Sequence, residues 1–269
     1  MAVVYDDLVL CTREDAISVL TLHNPARRNA FSKDMQEVFL RHLLRLHDDP
    51  SCRVIVVTGV AGQFCSGGDL SEMHQRPALE ARQRMDLATR IFKLLATGPK
   101  PFVAAAEGNV AKTGLSLLAA SDYAVVAADA RLACTFVKMG LLPDVGGLWS
   151  ISRRVGPRRA MELCAFGESF GAQAALEMEL INKIAVPGQA LARAMEVARR
   201  FAKNPPLAMA LLRSALATGA GTLDQAVNSE INLQSILMNT DDFSEALNAF
   251  RQKRKPVFKG GSGPLLAQT

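Results

Sequence analysis

Residues 64–70, with the sequence FCSGGDL, are the most informative stretch of the chain. They follow the apolar run VIVV at 54–57, which predicts a buried strand. Two adjacent glycines just after a strand let a ligand approach the backbone, because neither carries a Cβ. An exposed N–H group there can donate to an oxygen that gains negative charge. Without further context, Gly-Gly-Asp is also an ordinary turn sequence.

A second segment of the same kind occurs about forty residues later. Residues 109–116, NVAKTGLS, follow an apolar strand predicted at 102–106. Two strand-to-loop segments can present two N–H donors to one oxygen, which is the arrangement of an oxyanion hole. The pair of segments therefore points to chemistry on a carbonyl or a thioester.

The composition is that of a soluble globular protein. The chain has 269 residues, of which 49% are hydrophobic and 21% charged, and its net charge is +5. The sequence lacks the basic face with interleaved aromatic residues that is typical of nucleic-acid-binding proteins. The positive charge therefore indicates a slightly basic surface or attraction for a phosphorylated small molecule. Five widely spaced cysteines without a CxxC argue against a disulfide frame or a metal site. With no membrane-length apolar run and no signal-peptide pattern, we expect a cytoplasmic protein without a membrane partner.

The order of predicted elements indicates an α/β core with a helical appendage. Strands at 8–11 and 16–22, joined by a turn at 13–15, precede a helix at 32–47. Strands and helices alternate as far as about residue 135. From residue 147 helices dominate, starting with 147–154 and 157–166, and a short strand at 181–186 interrupts them.

Six segments in order resemble the enoyl-CoA hydratase/isomerase family, also called the crotonase family. They are NPARRNAFS at 24–32, FCSGGDL at 64–70, AEG at 106–108 with GLSL at 114–117, SD at 121–122, GLLPDVGG at 140–147 and AFRQKR at 249–254. The resemblance implies a crotonase-like spiral of β-β-α repeats over residues 1–200. It also implies a helical C-terminal region, 201–269, that builds homotrimers, often paired into hexamers.

The resemblance further implies an acyl-CoA thioester as substrate, with coenzyme A as part of the substrate and no separate cofactor. The two oxyanion donors are then the backbone N–H groups of Gly68 and Thr113, which hold the thioester oxygen as an enolate forms. Without the resemblance, Gly68 is interpreted as a turn glycine and Thr113 as an ordinary helix start.

The chain departs from the family pattern at the catalytic positions. Typical hydratases of the family carry two glutamates that position and activate water, and the aligned residues here are Ser116 and Phe136. Neither side chain is a useful general base near neutral pH, so simple hydration is disfavoured. The resemblance at LPDVGG is to the phenylacetate-pathway type of enoyl-CoA isomerase, in which one carboxylate, here Asp144, moves a proton from C2 to C4. Apolar neighbours (Leu141, Leu142, Val145 and Leu148) are expected to raise the pKa of Asp144.

Alternatives remain at several of these positions. Asp144 can instead be a turn residue or the cap of the helix predicted from Gly147. Glu107 is a second candidate for the catalytic carboxylate, but we expect it to make a structural contact at a strand end. Lys112 is expected to face solvent, with contact to a CoA phosphate as the alternative, and the Thr113 side chain either narrows the site or points away.

The resemblance also assigns residues to the coenzyme A moiety. The adenine is expected against the first loop, which comprises Ser66, Gly67, Gly68, Asp69 and Leu70. Arg27 and Arg28 suit phosphate oxygens, because guanidinium groups match their geometry. Lys255, Phe258 and Lys259 match a region that in relatives reaches the CoA tail, often from a neighbouring subunit. For each basic residue the alternative is a solvated surface charge.

The sequence lacks the signature motifs of several other enzyme classes. Ser66 and Ser116 have no nucleophile-elbow frame, and no dinucleotide fingerprint or phosphate-binding loop occurs. Cys65 is expected to be a small buried residue rather than a nucleophile. Two interpretations remain. One is an acyl-CoA enzyme, foremost a Δ3–Δ2 enoyl-CoA isomerase, with a hydratase or another crotonase-type lyase as the alternative. The other is a non-catalytic acyl-CoA-binding relative.

Overall fold

The computed structural model describes residues 5–261, which contain nine strands and nine α-helices. The strands are β1 (Val9–Glu14), β2 (Ile17–Leu22), β3 (Val54–Gly59), β4 (Phe102–Ala106), β5 (Asn109–Ala111), β6 (Tyr123–Ala127), β7 (Arg131–Ala133), β8 (Ser169–Gly171) and β9 (Lys183–Ala185). The helices are α1 (Lys33–Asp48), α2 (Ala78–Thr97), α3 (Thr113–Ala120), α4 (Gly147–Phe166), α5 (Ala172–Glu177), α6 (Ala190–Ala202), α7 (Pro206–Thr218), α8 (Leu223–Leu237) and α9 (Asp241–Arg251). Two segments lie outside the described residues. They are residues 1–4, where no signal peptide was expected, and residues 262–269, which belong to the predicted C-terminal region.

The strands form two sheets, and from β4 to β7 successive strands join the two sheets alternately. The larger sheet has the order β1-β2-β3-β4-β6-β9, and the smaller sheet has the order β5-β7-β8. Strand β4 joins the larger sheet, β5 joins the smaller one and α3 follows, and β6 and β7 repeat the alternation. Cys65 forms a parallel bridge to Val110 in β5, so the segment after β3 also pairs with the smaller sheet. This alternation confirms the predicted α/β spiral.

The central strands are buried on both faces of the larger sheet. Every residue of β4, and every residue of β3 except Gly59, is buried. Parallel strands covered on both faces appear in sequence as continuous apolar runs, which is why these two were predictable. Helices α1, α2 and α3 pack against one face, and α6 covers the other with Ala190, Ala194 and Ala198.

This topology places the two glycine-bearing segments side by side. Strands β3 and β4 are adjacent and parallel, so the segments that follow them leave the same edge of the sheet. Ligand sites in open α/β sheets commonly form at the carboxyl ends of such strands.

The structure corrects several local predictions. The turn predicted at 13–15 begins later than expected, because strand β1 continues through Glu14. The turn starts at Asp15, which adopts φ 51°. Strands β5 and β8 were missed, since three residues are too few to show an alternating pattern. The strand predicted at 181–186 is only Lys183–Ala185.

The last third of the described chain is mainly helical. Helix α4 bends at Gly156, where φ is 75° and ψ is 161°, directly before Pro157. This bend confirms the two helices predicted at 147–154 and 157–166. Within residues 5–261, no helix has the length and apolar character needed to cross a bilayer.

Helices α7–α9 expose a substantial set of apolar side chains. The exposed residues include Leu212, Leu216, Leu223, Val227, Ile231, Leu247 and Phe250. Apolar surface of this kind often marks an interaction site. The homotrimer, the dimer of trimers and the boundary at residue 200 stay predictions.

Candidate active site

The first glycine loop is held by backbone hydrogen bonds to β5 and to Glu107, which lies two residues before that strand. The Phe64 N–H donates to the Glu107 carbonyl at 2.8 Å, and the Cys65 N–H donates to the Asn109 carbonyl at 3.1 Å. The Cys65 carbonyl in turn accepts from the Ala111 N–H at 3.0 Å. Gly67 then adopts φ 104°, which L side chains rarely adopt, so glycine is required there for conformational reasons.

Residues 24–32 brace the same loop from the other side. The Phe31 N–H donates to the Gly67 carbonyl at 2.7 Å, and the Ser66 N–H donates to the Arg28 carbonyl at 3.1 Å. Buried Asn29 donates through its side chain to the carbonyls of Val60 and Gln63. Sequence reasoning missed this structural role of Asn29, although its motif was noted.

The second loop approaches the first so closely that side chains would clash. A Cβ on Gly114 would lie 2.4 Å from the Cys65 carbonyl oxygen, and one on Gly67 would lie 2.6 Å from the Lys112 Cβ. Lys112 itself has φ 49° and ψ −120°, a conformation that strongly favours glycine. The strained peptide directly precedes Thr113, the first residue of α3.

The two predicted oxyanion donors lie in these adjoining loops. Within residues 5–261, neither the Gly68 N–H nor the Thr113 N–H has a hydrogen-bond acceptor. A Cβ on Gly68 would lie 4.0 Å from Thr113 Oγ1, which places the loops next to each other. The Thr113 amide is also at a helix N-terminus, where the helix dipole favours negative charge.

Asp144 is joined directly to the second loop. Thr113 Oγ1 donates a hydrogen bond to Asp144 Oδ1 at 2.9 Å. Burial raises the pKa of Asp144 above its ordinary value, and the hydrogen bond from Thr113 opposes part of that rise. The Thr113 side chain therefore neither points away nor merely narrows the site. Sequence reasoning missed this contact between residues 31 positions apart.

The Asp144 side chain does not cap α4. The N-cap of α4 is Gly146, which makes no side-chain capping bond, and the Gly147 N–H donates to the Asp144 main-chain carbonyl at 2.8 Å. Of the four expected apolar neighbours, only Val145 is buried, whereas Leu141, Leu142 and Leu148 are exposed. The carboxylate is thus left available to the adjacent cavity.

Gly68, Thr113 and Asp144 line one cavity of about 600 Å³. Much of its wall is apolar, with Leu70, Met73, Ala81, Met85, Phe136, Met139, Leu141 and Leu142. Among the described residues that line it, Asp144 is the only carboxylate. The partly buried cations Arg76 and Arg84 line it as well, and they pair with Glu80 at 3.2 Å and with Glu72 at 2.6 Å. We call this space the acyl cavity.

The two positions that lack glutamate differ in their surroundings. Phe136 is part of the acyl-cavity wall. Ser116 is fully buried behind it, and its hydroxyl has no hydrogen-bond partner among the described residues. A Cβ on Gly147 would lie 2.3 Å from Ser116 Oγ, so the serine packs against the start of α4.

A second cavity of about 600 Å³ adjoins the first. It is lined by Arg27, Arg28, Ser66, Gly68, Asp69, Leu70 and Lys112, and it shares Gly68, Leu70 and Lys112 with the acyl cavity. We call it the basic cavity. Lys112 therefore borders both spaces instead of facing only solvent.

Comparison with known proteins identifies this arrangement. The profile of the enoyl-CoA hydratase/isomerase family matches residues 12–261. The chain belongs to this family. It is 31% identical over 260 residues to the 1,2-epoxyphenylacetyl-CoA isomerase of Escherichia coli, covering 94% of this chain and 99% of the relative. It is 29% identical over 256 residues to the crotonyl-CoA hydratase of Syntrophomonas wolfei, covering 94% and 98%.

Solved structures of family members share the fold. The crystal structure of an enoyl-CoA hydratase from Polaromonas sp. JS666 is 31% identical and superposes with a TM-score of 0.88, covering 93% of this chain and 99% of that one. The fold is therefore the crotonase fold, and the chain is an enzyme of the hydratase/isomerase family. The relatives carry both hydratase and isomerase names.

Several residues of the basic cavity also have structural partners. Arg27 forms an ion pair with Asp69, whose carboxylate accepts from the Ser71 N–H at 2.9 Å. Ser66 Oγ donates to the Arg27 carbonyl at 3.1 Å. Arg27 and Asp69 thus stabilise the first glycine loop, which leaves the expected CoA contacts of both residues as predictions.

The predicted C-terminal CoA contacts lie elsewhere in the chain. Phe258 accepts from the Arg53 guanidinium through its carbonyl at 2.5 Å, and the Lys259 N–H donates to Asp242 at 2.8 Å. Neither residue lines the acyl cavity or the basic cavity, and neither does Lys255. A single chain does not bring them to the site, so their role from a neighbouring subunit stays a prediction.

Two further residues have the expected structural roles. The Glu107 carboxylate accepts from the N–H groups of Gly188 at 3.1 Å and Ala190 at 2.9 Å, at the start of α6. Cys65 is fully buried, and burial raises the pKa of its thiol to about 12, which makes it a poor nucleophile. No three His, Cys, Asp or Glu side chains within residues 5–261 are grouped to hold a metal ion.

Proposed function

We propose that this family member is a Δ3–Δ2 enoyl-CoA isomerase in which Asp144 moves the proton. One observation carries the proposal: Asp144 is the single carboxylate among the described residues of a cavity that also presents Gly68 and Thr113. An allylic isomerisation needs only one acid–base group, because the group that takes a proton can return it.

The reaction follows from these three groups. The Asp144 carboxylate takes a proton from C2 of a 3-enoyl thioester, and the electron pair moves onto the thioester oxygen. The N–H groups of Gly68 and Thr113 donate to that oxygen and stabilise the dienolate, as oxyanion-hole donors do. The Asp144 carboxylic acid then gives the proton to C4, which forms the 2-enoyl thioester and restores the carboxylate.

The surroundings of Asp144 suit both halves of this reaction. Burial raises its pKa, which makes the carboxylate a stronger base. The bond from Thr113 Oγ1 engages only Oδ1, which leaves the other carboxylate oxygen to reach the substrate. The raised pKa also favours the carboxylic acid that forms between the two steps, so Asp144 can keep the proton until it gives it to C4.

Hydration is less well supported by the same cavity. Addition of water needs a group that activates the nucleophile as well as one that protonates the α-carbon. The two positions that supply glutamates in typical hydratases are Phe136 and the buried Ser116, and the wall has no second carboxylate among the described residues.

The basic cavity is the proposed site of the coenzyme A moiety. It meets the acyl cavity at Gly68, where the thioester would lie, and it presents Arg27, Arg28 and Lys112 to a phosphate-bearing ligand. Lys259 of a neighbouring subunit is a further candidate within an oligomer. The proposed substrate therefore spans the two cavities, with its thioester between them.

The test is an assay of a 3-enoyl-CoA in deuterated water, comparing the wild type with Asp144→Asn and with Asp129→Asn. Asp129 lies in an exposed connection between β6 and β7 and serves as the matched control. We expect conversion to the 2-enoyl-CoA by the wild type and Asp129→Asn, and at least a hundredfold slower turnover by Asp144→Asn.

Other outcomes would assign a different function. A 3-hydroxyacyl product would contradict the isomerase and support a hydratase. Turnover of a 1,2-epoxyphenylacetyl thioester and of no other substrate would contradict the proposal and indicate that this protein has the activity for which the E. coli relative is named. Heat of binding by calorimetry without turnover of any of these thioesters would support the non-catalytic acyl-CoA-binding alternative.

A further inference from the structure

A pair of cysteines outside the active site is brought into contact by the fold. Cys134 follows β7, Cys164 lies in the last turn of α4, and their sulfur atoms are 3.5 Å apart. Among the other three described cysteines, Cys11 and Cys52 interact electrostatically, but no sulfur–sulfur hydrogen bond joins them. Thirty positions of sequence separate the pair, so the contact is a consequence of tertiary structure.

The two thiols are not equivalent. Cys134 is fully buried and donates the hydrogen bond, whereas Cys164 accepts it and is partly exposed. The hydrogen bond from Cys134 lowers the pKa of the Cys164 thiol below its ordinary value. A peroxide arriving from solvent therefore meets the sulfur atom that is more readily ionised, with a second thiol directly behind it.

We propose that Cys134 and Cys164 form a peroxide-reactive dithiol site that closes to an intrachain disulfide. The Cys164 thiolate attacks one oxygen of a hydroperoxide, the O–O bond breaks, and the hydroxide or alkoxide that leaves takes a proton. Cys164 becomes a sulfenic acid. Cys134 then attacks the sulfenic sulfur, the S–S bond forms, and the hydroxyl group leaves with the thiol proton as water. Two thiols thereby give two electrons to one peroxide.

The geometry permits closure with a small movement. The sulfur atoms must move from 3.5 Å to a bonded separation of about 2.05 Å. Cys164 lies two residues before the end of α4, and Gly167, the left-handed C-cap, passes so close to Cys134 that an added Cβ would lie 3.2 Å from the Cys134 carbonyl oxygen. The end of a helix is better able to shift than its middle, because it has fewer backbone hydrogen bonds to lose.

The site also lies close to the active site along the backbone. Cys134 is two residues before Phe136 in the acyl-cavity wall. The disulfide would tie that wall segment to the end of α4, whose start follows Asp144. The reaction requires only a peroxide and these two residues, so it holds whichever acyl-CoA reaction the enzyme catalyses.

The test uses hydrogen peroxide on the full-length protein, followed by tryptic digestion without reduction and mass spectrometry. Cleavage yields residues 132–138 with Cys134 and residues 160–183 with Cys164. We expect these two peptides to be joined in the oxidised wild type, with loss of two hydrogens, and to separate after dithiothreitol. Two thiols should disappear for each peroxide consumed.

Variants make the assignment specific. Cys164→Ser should give no cross-link, and Cys134→Ser should leave a sulfenic acid at Cys164 that dimedone traps. Cys11→Ser, which alters the other partly exposed cysteine, should cross-link as the wild type does. The proposal is overturned if wild-type Cys164 accumulates sulfenic or sulfinic acid without the cross-link. It is equally overturned if the joined peptides contain other cysteines. Because the wild type alone decides this, a variant that fails to fold does not affect the result.

Discussion

Asparagine at position 144 removes one ionisable group from the acyl cavity and leaves its shape almost unchanged. No other carboxylate among the described wall residues can take the proton, so the full general acid–base contribution should be lost. That contribution is typically about 100- to 10,000-fold, or roughly 2.7–5.5 kcal/mol of activation free energy. The N–H groups of Gly68 and Thr113 remain, so thioester binding should persist. The measurement is kcat on a saturating 3-enoyl-CoA.

The same variant should be more stable than the wild type near neutral pH. Burial raises the pKa of Asp144 in the folded state above 3.8, so ionisation is less favourable there than in the unfolded chain. Below pH 3.8 both residues are neutral and the two proteins should unfold alike. As the pH rises through the folded-state pKa, the wild type loses stability that Asp144→Asn retains. Thermal unfolding across this range measures the difference, with Asp129→Asn as the control.

Either measurement can refute this reasoning. A kcat for Asp144→Asn within tenfold of the wild type would mean that another group moves the proton. A stability difference that favours the wild type increasingly as the pH rises would mean that Asp144 is a stabilising ionised residue. Loss of turnover together with gain of stability is the combination expected of a base placed in an apolar cavity.

Three further predictions concern residues that hold the site and the core. Lys112→Gly should raise the free energy of unfolding by about 1 kcal/mol, because glycine accepts φ 49° and ψ −120° without strain, whereas Lys112→Ala should not. Chemical denaturation of the two variants compares them. Glu107→Ala should lower stability by about 1 kcal/mol through lost hydrogen bonds and leave kcat unchanged, since the residue lines neither cavity. Reduced kcat with unchanged stability would contradict that role. Burial, with nearby Arg213 and Lys100, lowers the pKa of His47 to about 4. The folded protein should therefore lose up to about 3 kcal/mol between pH 6.5 and pH 4, and His47→Phe should lose less. An identical pH dependence of unfolding in wild type and variant would exclude this explanation.

Much of the fold could be predicted because its signals are local. The runs at 54–57 and 102–106 are apolar throughout, since both faces of the parallel sheet are covered. The bend of α4 was predictable from Gly156-Pro157, because proline lacks the N–H that would continue the helix. Strands β5 and β8 gave no such signal, because three residues cannot show a period.

The sequence by itself determined which groups are available: two glycine-bearing loops after parallel strands, one aspartate in LPDVGG, and no glutamate at positions 116 and 136. Only the tertiary structure decided how they meet. It joined Thr113 to Asp144, put Lys112 between the two cavities, and brought Cys134 against Cys164. It also left Phe258 and Lys259 away from both cavities of their own chain. The physical reason is that elements form from neighbouring residues, whereas these contacts join side chains about thirty or more positions apart, and only the packing of the spiral fixes such distances.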